Sequence, residues 1–338
     1  MSDTMLSSLT TGTSQPQRQI HLFGGLGILL LIVSAFWMFQ GLDDGNRAFI
    51  LKLRVIKLGS LLTVAAATGV STILFQTVTG NRVLTPSIMG FDSLYILLQT
   101  AMVASIGTAG FAGLPDMTKF LAEVAVMCIL AVVLFGTLLG HGTRDIGRTI
   151  LTGIIFGVMF RSASQLLGRL IDPNEFAVVQ AASVANFTRA DATLLPVGAV
   201  LCAIAIMTAW QLSSRLDVLA LGRDTAVSLG LHHMRMVLIT LGLVATLVSV
   251  STALVGPLSL FGPAAFFGLI VAGMTHGLTH TCRHKLLLPI AVLIAANILV
   301  AGQMIFERIL GQQAALSVVI EFAGGLFFLY LLLKGRIR

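Results

Sequence analysis

The sequence predicts an all-α, polytopic membrane protein of about ten transmembrane helices, and three observations carry that prediction. Only 10% of the 338 residues are charged and 56% are hydrophobic, whereas roughly a quarter of a typical soluble domain is charged. The mean hydropathy of +0.96 leaves far too little polar surface to cover the apolar runs. Those runs recur at lengths of about 20 residues, which is what an α-helix needs to cross a hydrocarbon layer. A soluble enzyme, a disordered chain and a disulfide scaffold are thereby excluded. Cys128, Cys202 and Cys282 share no metal-ligand or disulfide spacing and read as free thiols. The net charge of +7 is accounted for by membrane topology, so no nucleic-acid partner is expected.

Taken in order, residues 1–21 read as a cytoplasmic tail and 22–338 as a single transmembrane domain. The first span, 22–40, outruns a signal-peptide core and lacks a small-residue cleavage site, so it is expected to stay attached. Further spans are expected at 53–76, 89–112, 118–140, 147–168, 193–212, 235–255, 262–279, 286–305 and 316–334. The third carries Asp92 and the eighth is short. An even count puts both termini on one side, and the excess of Lys and Arg assigns that side to the cytoplasm. Twelve basic residues then lie inside, Arg82, Arg215, Arg223, Arg235 and Arg283 among them, and eight outside. The outer cluster Arg47, Lys52, Arg54 and Lys57 breaks the rule and asks for a functional explanation.

Two segments interrupt the helical pattern, Thr85 to Gly90 and Gly256 to Pro263, in corresponding places in the two halves. Such backbone must be shielded by protein or line a wet cavity. Gly153 and Gly157 form a small-xxx-small pair in the fifth span, read as ordinary helix packing.

No phosphate loop, HExxH, GxSxG or helically paired carboxylate motif is present. The chain is therefore read as not itself an enzyme, and uphill transport must draw on an ion gradient or a separate nucleotide-hydrolysing subunit. The intramembrane charges Asp92, Glu123, Glu321 and Arg161 are costly in hydrocarbon and are candidates for the conduction path. His276, His280 and His284 recur every fourth residue; Arg283 and Lys285 mark a membrane exit there, so they read as interfacial histidines, with a three-imidazole metal site as the alternative. The loop over 213–234 is the most informative polar segment. Its stretch from Leu216 to Gly230 reads as a short amphipathic helix, with Gly222 permitting a turn, Asp224 favoured near a helix N-terminus and Gly230 a left-handed stop. Leucines and alanines projecting from it suggest a docking knob for a partner.

At this loop, Leu221-Gly222-Arg223-Asp224-Thr225-Ala226-Val227-Ser228-Leu229-Gly230 reproduces the LG-x-x-A-x-x-LG pattern of the permease subunits of ABC importers for iron chelates and vitamin B12. Ala253 to Gly262, the ending Phe327 to Lys334, and Gln76 with Asn81, Pro86 and Gly90 extend the resemblance along most of the chain. The resemblance implies the vitamin B12 permease-like architecture: ten helices per subunit, a second permease subunit of the same or a related chain, two cytoplasmic ATPases and a periplasmic or lipid-anchored binding protein. ATP and magnesium would sit on the ATPases, and no cofactor on this chain.

By position, Leu221, Gly222, Arg223, Asp224, Ala226, Leu229 and Gly230 would couple to the ATPase. Arg54, Lys57 and Arg308 would dock the binding protein, which would explain the outer cations. Asn81 and Val83 would narrow the cytoplasmic mouth, with Arg161, Asp92 and Glu321 along the path. The segments Arg82 to Asp92, Asp172 to Phe176 and Glu321 to Gly325 resemble the branch that imports ferric siderophores, catecholate or mixed, across the bacterial inner membrane. The family's Pro-His in the eighth span is absent, Asp92 replaces a small residue, and Gly302-Gln303 stands where an Asp is common. A vitamin B12 or haem permease, or an ion-coupled secondary transporter, is the alternative.

Overall fold

The computed structural model describes residues 15–41, 46–140, 146–182, 185–187, 191–257, 266–308 and 326. Among them the chain forms twelve helices: α1 (Gln15–Phe39), α2 (Arg47–Thr79), α3 (Phe91–Gly113), α4 (Asp116–Gly140), α5 (Ile146–Gly168), α6 (Pro173–Ala182), α7 (Leu194–Gln211), α8 (Ser213–Leu219), α9 (Arg223–Ser228), α10 (His233–Val255), α11 (Phe266–Thr279) and α12 (His284–Arg308). Eight of these, α1 to α5, α7, α10 and α12, contain stretches long and apolar enough to cross a membrane, and α11 is a shorter apolar helix. All nine fall on expected spans, with ends displaced by a few residues. The tenth expected span, 316–334, lies outside the described residues apart from Leu326, as does most of the Gly256 to Pro263 segment.

The three helices α2, α10 and α12 form the centre, α2 packing against both others. In lipid, apolar surface alone does not drive helices together, so close contact depends on small side chains. The α2–α12 seam is built that way. Ala65, Ala67, Ala291, Ala295 and Ala296 are buried, and a Cβ on Gly69 would lie 2.9 Å from the Ala291 carbonyl oxygen and 3.4 Å from the Ala295 Cβ. The outer helices α1, α5 and α7 instead expose large apolar residues such as Ile32, Leu151, Ile155, Val200 and Ile204, as expected of surfaces that face lipid or a second subunit.

The two antiparallel central helices are also fastened by polar side chains at both ends. At one end Lys57 of α2 pairs with Glu307 of α12, and the same carboxylate accepts a hydrogen bond from Trp37 Nε1 of α1 at 2.9 Å. At the other, Thr77 of α2 meets His284 of α12. Twenty residues separate Lys57 from Thr77, about 30 Å of helix. That is about the thickness of the hydrocarbon layer, so the two fastenings are spaced to fall near its two boundaries.

Non-helical backbone inside the bundle is handled as predicted for the first break. The segment after α2 turns at Gly80 and through Pro86 to Gly90, with Met89 and Gly90 donating to the Pro86 and Ser87 carbonyls at 3.1 Å each. Leu84, Thr85 and Met89 are fully buried there. The glycine pair of α5 receives this turn: a Cβ on Gly157 would meet Gly90 Cα at 3.2 Å, and Gly153 faces Met89. Gly153 and Gly157 therefore do serve packing, of a loop rather than of a second helix.

Two features were not foreseen. Helix α3 is broken at Gly107 (φ 68°, ψ 169°), and Glu175 of α6 accepts the freed Thr108 N–H at 3.1 Å, an anion supplied to a helix start. Helix α6 itself has Pro173 as its first residue and Asp172 as its cap, whose Oδ1 accepts the Asn174 N–H at 2.9 Å. That pairing is a legible start signal in the sequence.

Candidate functional site

The loop over 213–230 folds as two short helices hinged at Gly222. Gly222 adopts φ 92° and ψ 167°, a conformation open essentially to glycine. Asp224 lies in the first turn of α9, as expected. The exit matches expectation in detail: Leu231 N–H donates to the Ala226 carbonyl and Gly230 N–H to that of Val227, both at 2.9 Å, with Gly230 at φ 81°. This double bond pattern is the left-handed helix stop that favours glycine.

The knob is smaller than the sequence suggests. Leu216 and Leu219 point into the bundle and are buried, and Ala226 is completely buried. Ala226 therefore anchors the loop and presents no surface for a partner. The exposed apolar residues are Leu221, Val227 and Leu229, at 60%, 55% and 62% exposure, beside the exposed Arg223 and Asp224. Three large apolar side chains around one polar turn are what a partner's cleft can cover.

Beneath the loop lies a polar junction that the sequence pattern did not single out. Asp217 Oδ1 accepts both the backbone N–H of His284 and its ring Nδ1, each at 2.7 Å. The ring's Nε2 pairs with Thr77 Oγ1 at 2.6 Å. The three histidines do not share a helix. His276 is on α11, His280 is in the link with φ 50°, and His284 opens α12. Among the described residues no three His, Cys, Asp or Glu side chains gather as metal ligands would.

A few residues beyond Thr77, the gate candidates meet: Asn81 Oδ1 accepts the Val83 N–H at 2.8 Å, while Gln76 Nε2 donates to the Arg82 carbonyl at 2.5 Å. The turn that leaves α2 is thus closed by side chains on both flanks. Farther into the bundle, a cavity is lined by Thr68, Ser71, Thr72, Thr85, Asp92 and Ser251. Asp92, 7% exposed, is therefore placed against a hydroxyl-rich space. Arg161 is half-buried on α5 and does not line that cavity. Glu123 is buried on α4, beside Gln99 of α3. Glu321 lies outside the described residues.

At the opposite end, Arg54 wraps the C-terminus of α1, Nη1 donating to the Met38 and Gln40 carbonyls at 2.5 and 2.9 Å. Those are carbonyls that a helix end leaves unsatisfied. The Lys57 side chain is only 13% exposed in its pair with Glu307. Both predicted docking cations therefore hold the fold together here. They do converge with the end of α12, where Arg308 follows Glu307, although the Arg308 side chain lies outside the described set.

Comparison with known proteins agrees with this architecture. The chain is 38% identical over 318 residues to the petrobactin import system permease protein YclO of Bacillus subtilis, covering 94% of this chain and 98% of that one. It is 32% identical to the petrobactin import system permease protein FatC of Bacillus anthracis, covering 87% and 82%. Among solved structures, an inward-facing conformation of a metal-chelate type ABC transporter superposes with a TM-score of 0.77 at 20% identity, covering 94% of this chain and 99% of that one. At that identity the likeness concerns the fold. The FecCD transport family profile matches residues 14–334; with that match spanning nearly the whole chain, this multi-pass membrane protein belongs to the FecCD transport family.

Proposed function

We propose that the chain is the permease subunit of an ATP-driven importer that carries a ferric siderophore across the bacterial inner membrane. The observation that carries this is the near end-to-end similarity to the two petrobactin import permeases, and a ferric enterobactin transport permease of Escherichia coli is a third relative, at 27% identity. In this reading the chain holds no cofactor and hydrolyses nothing. Two ATPase subunits supply the work with ATP and magnesium, a second permease subunit completes the path, and an external binding protein delivers the solute.

The exposed residues Leu221, Val227 and Leu229 enter a cleft of the ATPase, with Arg223 and Asp224 at the rim, while Ala226, Gly222 and Gly230 keep the loop in shape. Asn81 and Val83 narrow the cytoplasmic mouth. Asp92 faces the path through the hydroxyl-lined cavity, and Arg161 and Glu321 contribute to the path that the second subunit completes. Arg54, Lys57 and Arg308 mark the outer face that meets the binding protein. Both termini lie in the cytoplasm.

Reconstitution in proteoliposomes with the ATPase and binding protein tests the proposal. Iron-loaded petrobactin, labelled with radioactive iron, is expected to enter only with ATP inside the compartment that bears the 213–230 loop. Accumulation driven by a proton or sodium gradient without the ATPase would overturn it.

A further inference from the structure

We infer that Asp217, His284 and Thr77 form a positioning strut that ties the ATPase-contacting loop to the gate end of α2. The inference rests on the reading of the 213–230 loop given above. Asp217 belongs to α8, the inner half of that loop; His284 opens α12; Thr77 lies in the last turn of α2, four residues before Asn81. One imidazole thus joins three elements, with Asp217 at 2.7 Å on one ring nitrogen and Thr77 at 2.6 Å on the other. A carboxylate can only accept, so Nδ1 carries a proton toward Asp217. Thr77 Oγ1 also lies 2.8 Å from the Ile73 carbonyl of its own helix, so its one proton serves either Nε2 or that carbonyl, and in the second arrangement Nε2–H donates to Oγ1; the ring stays tied to Thr77 in both.

Two features argue that this is more than a helix cap. The cap function needs only the His284 backbone and the Asp217 carboxylate: Asp217 Oδ1 accepts the His284 N–H, one of the donors that a helix start leaves unpaired. That bond needs no imidazole. The ring adds only the connection onward to α2, and it does so while nearly fully buried, its side chain 3% exposed.

The second feature is directionality. Of the three buried residues of α8, Ser213, Leu216 and Leu219, two are apolar, and apolar contacts permit sliding because they have no preferred angle. A planar ring held at both nitrogens does not slide. When an ATPase draws α8 aside, the strut obliges the ends of α2 and α12 to follow, and the Asn81–Val83 turn moves with them. A second tie between α7 and α12, Trp210 Nε1 to the Lys285 carbonyl at 3.3 Å, keeps the base of α12 in the same rigid group.

The test measures solute moved per ATP hydrolysed in the reconstituted importer, with iron-loaded petrobactin as the probe. Thr77→Val removes the hydroxyl and keeps the shape. It is expected to bind the ATPase with affinity within about twofold of the parent and to lower the transport-to-hydrolysis ratio about tenfold, the factor that one hydrogen bond to a charged or strongly polarised partner represents. Thr77→Ser should restore the ratio. His284→Asn, whose amide nitrogen can still reach Asp217 but not Thr77, should reproduce Thr77→Val, and adding Thr77→Val to it should cost nothing more.

A normal ratio in assembled Thr77→Val or His284→Asn overturns the strut. So does a Thr77→Ser variant as impaired as Thr77→Val, which would assign the effect to packing of the methyl group. If Thr77→Val fails to assemble, His284→Asn decides by the same ratio; failure of both to assemble overturns the strut in favour of a purely structural fastening. Leu229→Asp separates the two levels. Normal ATPase binding by that variant refutes the reading of the loop, whereas lost binding together with a normal ratio in Thr77→Val refutes the strut alone.

Discussion

Gly222 and Gly230 offer an unusually clean perturbation, because a Cβ added at either would meet nothing within 4 Å. Substitution there changes backbone preference and no packing. Gly230 sits at φ 81° in a left-handed helix stop, where an L-residue is disfavoured by about 1–2 kcal/mol. Gly222, at φ 92° and ψ 167°, lies in a region that is costlier, up to about 3 kcal/mol. If only the native loop shape fits the ATPase, apparent affinity falls by the fraction of chains that retain it. At about 1.4 kcal/mol per factor of ten, Gly230→Ala should weaken ATPase binding by roughly fivefold to thirtyfold. Gly222→Ala should weaken it by up to about a hundredfold. Gly230→Asn should be milder than Gly230→Ala, because Asn tolerates the left-handed region. The assay is titration of detergent-purified permease with its ATPase subunit, alongside a check that thermal stability of the isolated permease is unchanged. Parental affinity in Gly222→Ala would refute the idea that this hinge shapes the contact, and a larger loss in Gly230→Ala than in Gly222→Ala would refute the backbone argument.

Gly69→Leu should separate α2 from α12, since its Cβ already crowds the Ala291 carbonyl at 2.9 Å; overpacking of this kind costs about 1–3 kcal/mol, read as a lowered midpoint in a thermal shift of the purified permease. At the Lys57–Glu307 pair, Lys57→Met should destabilise more than Lys57→Met combined with Glu307→Gln, because the single change strands a half-buried carboxylate; additive losses in a double-mutant cycle would contradict this. For the outer face, Arg54→Glu with Lys57→Glu should weaken binding-protein association in a salt-dependent manner, measured against a Glu307→Gln control that separates docking from folding; affinity equal to the parent's would remove these cations from the docking face. Arg161→Gln, if assembled, should slow uptake of an anionic iron chelate with little change in ATPase binding, and unaltered uptake would end its role in the path.

The division of labour at the two ends of α2 bears on how such a bundle moves. A helix of 33 residues extends about 50 Å, well beyond the hydrocarbon layer. Its alanine- and glycine-rich seam with α12 makes the two helices one body, and the polar fastenings at Lys57–Glu307 and Thr77–His284 fix their register. Motion imposed near Thr77 is therefore carried along the pair as a rigid tilt. The buried turn from Thr85 to Gly90 leads from this end of α2 into α3 beside the Asp92 cavity, while the break of α3 at Gly107 lies against Glu175 of α6.

The nine spans that fall among the described residues were legible in the sequence because lipid imposes a one-dimensional rule: each crossing must satisfy its own backbone and must be about 20 apolar residues long. Local chemistry was equally legible where a single residue decides a conformation, as with the turn at Gly222, the stop at Gly230 and the break at Pro86 to Gly90 after α2. What remained hidden depends on residues far apart in the chain. Ala226 looks like its exposed neighbours until the fold turns it inward, and Lys57 looks like a free surface cation until Glu307, 250 residues later, arrives beside it. His284 is one of three evenly spaced histidines, yet its partners Asp217 and Thr77 lie on two other helices, while His276 belongs to α11 and His280 to the link that follows it. Periodicity reports which residues share a face of one helix. Only the packing of helices, which in lipid depends on close fit and long-range polar pairing, decides what each face meets.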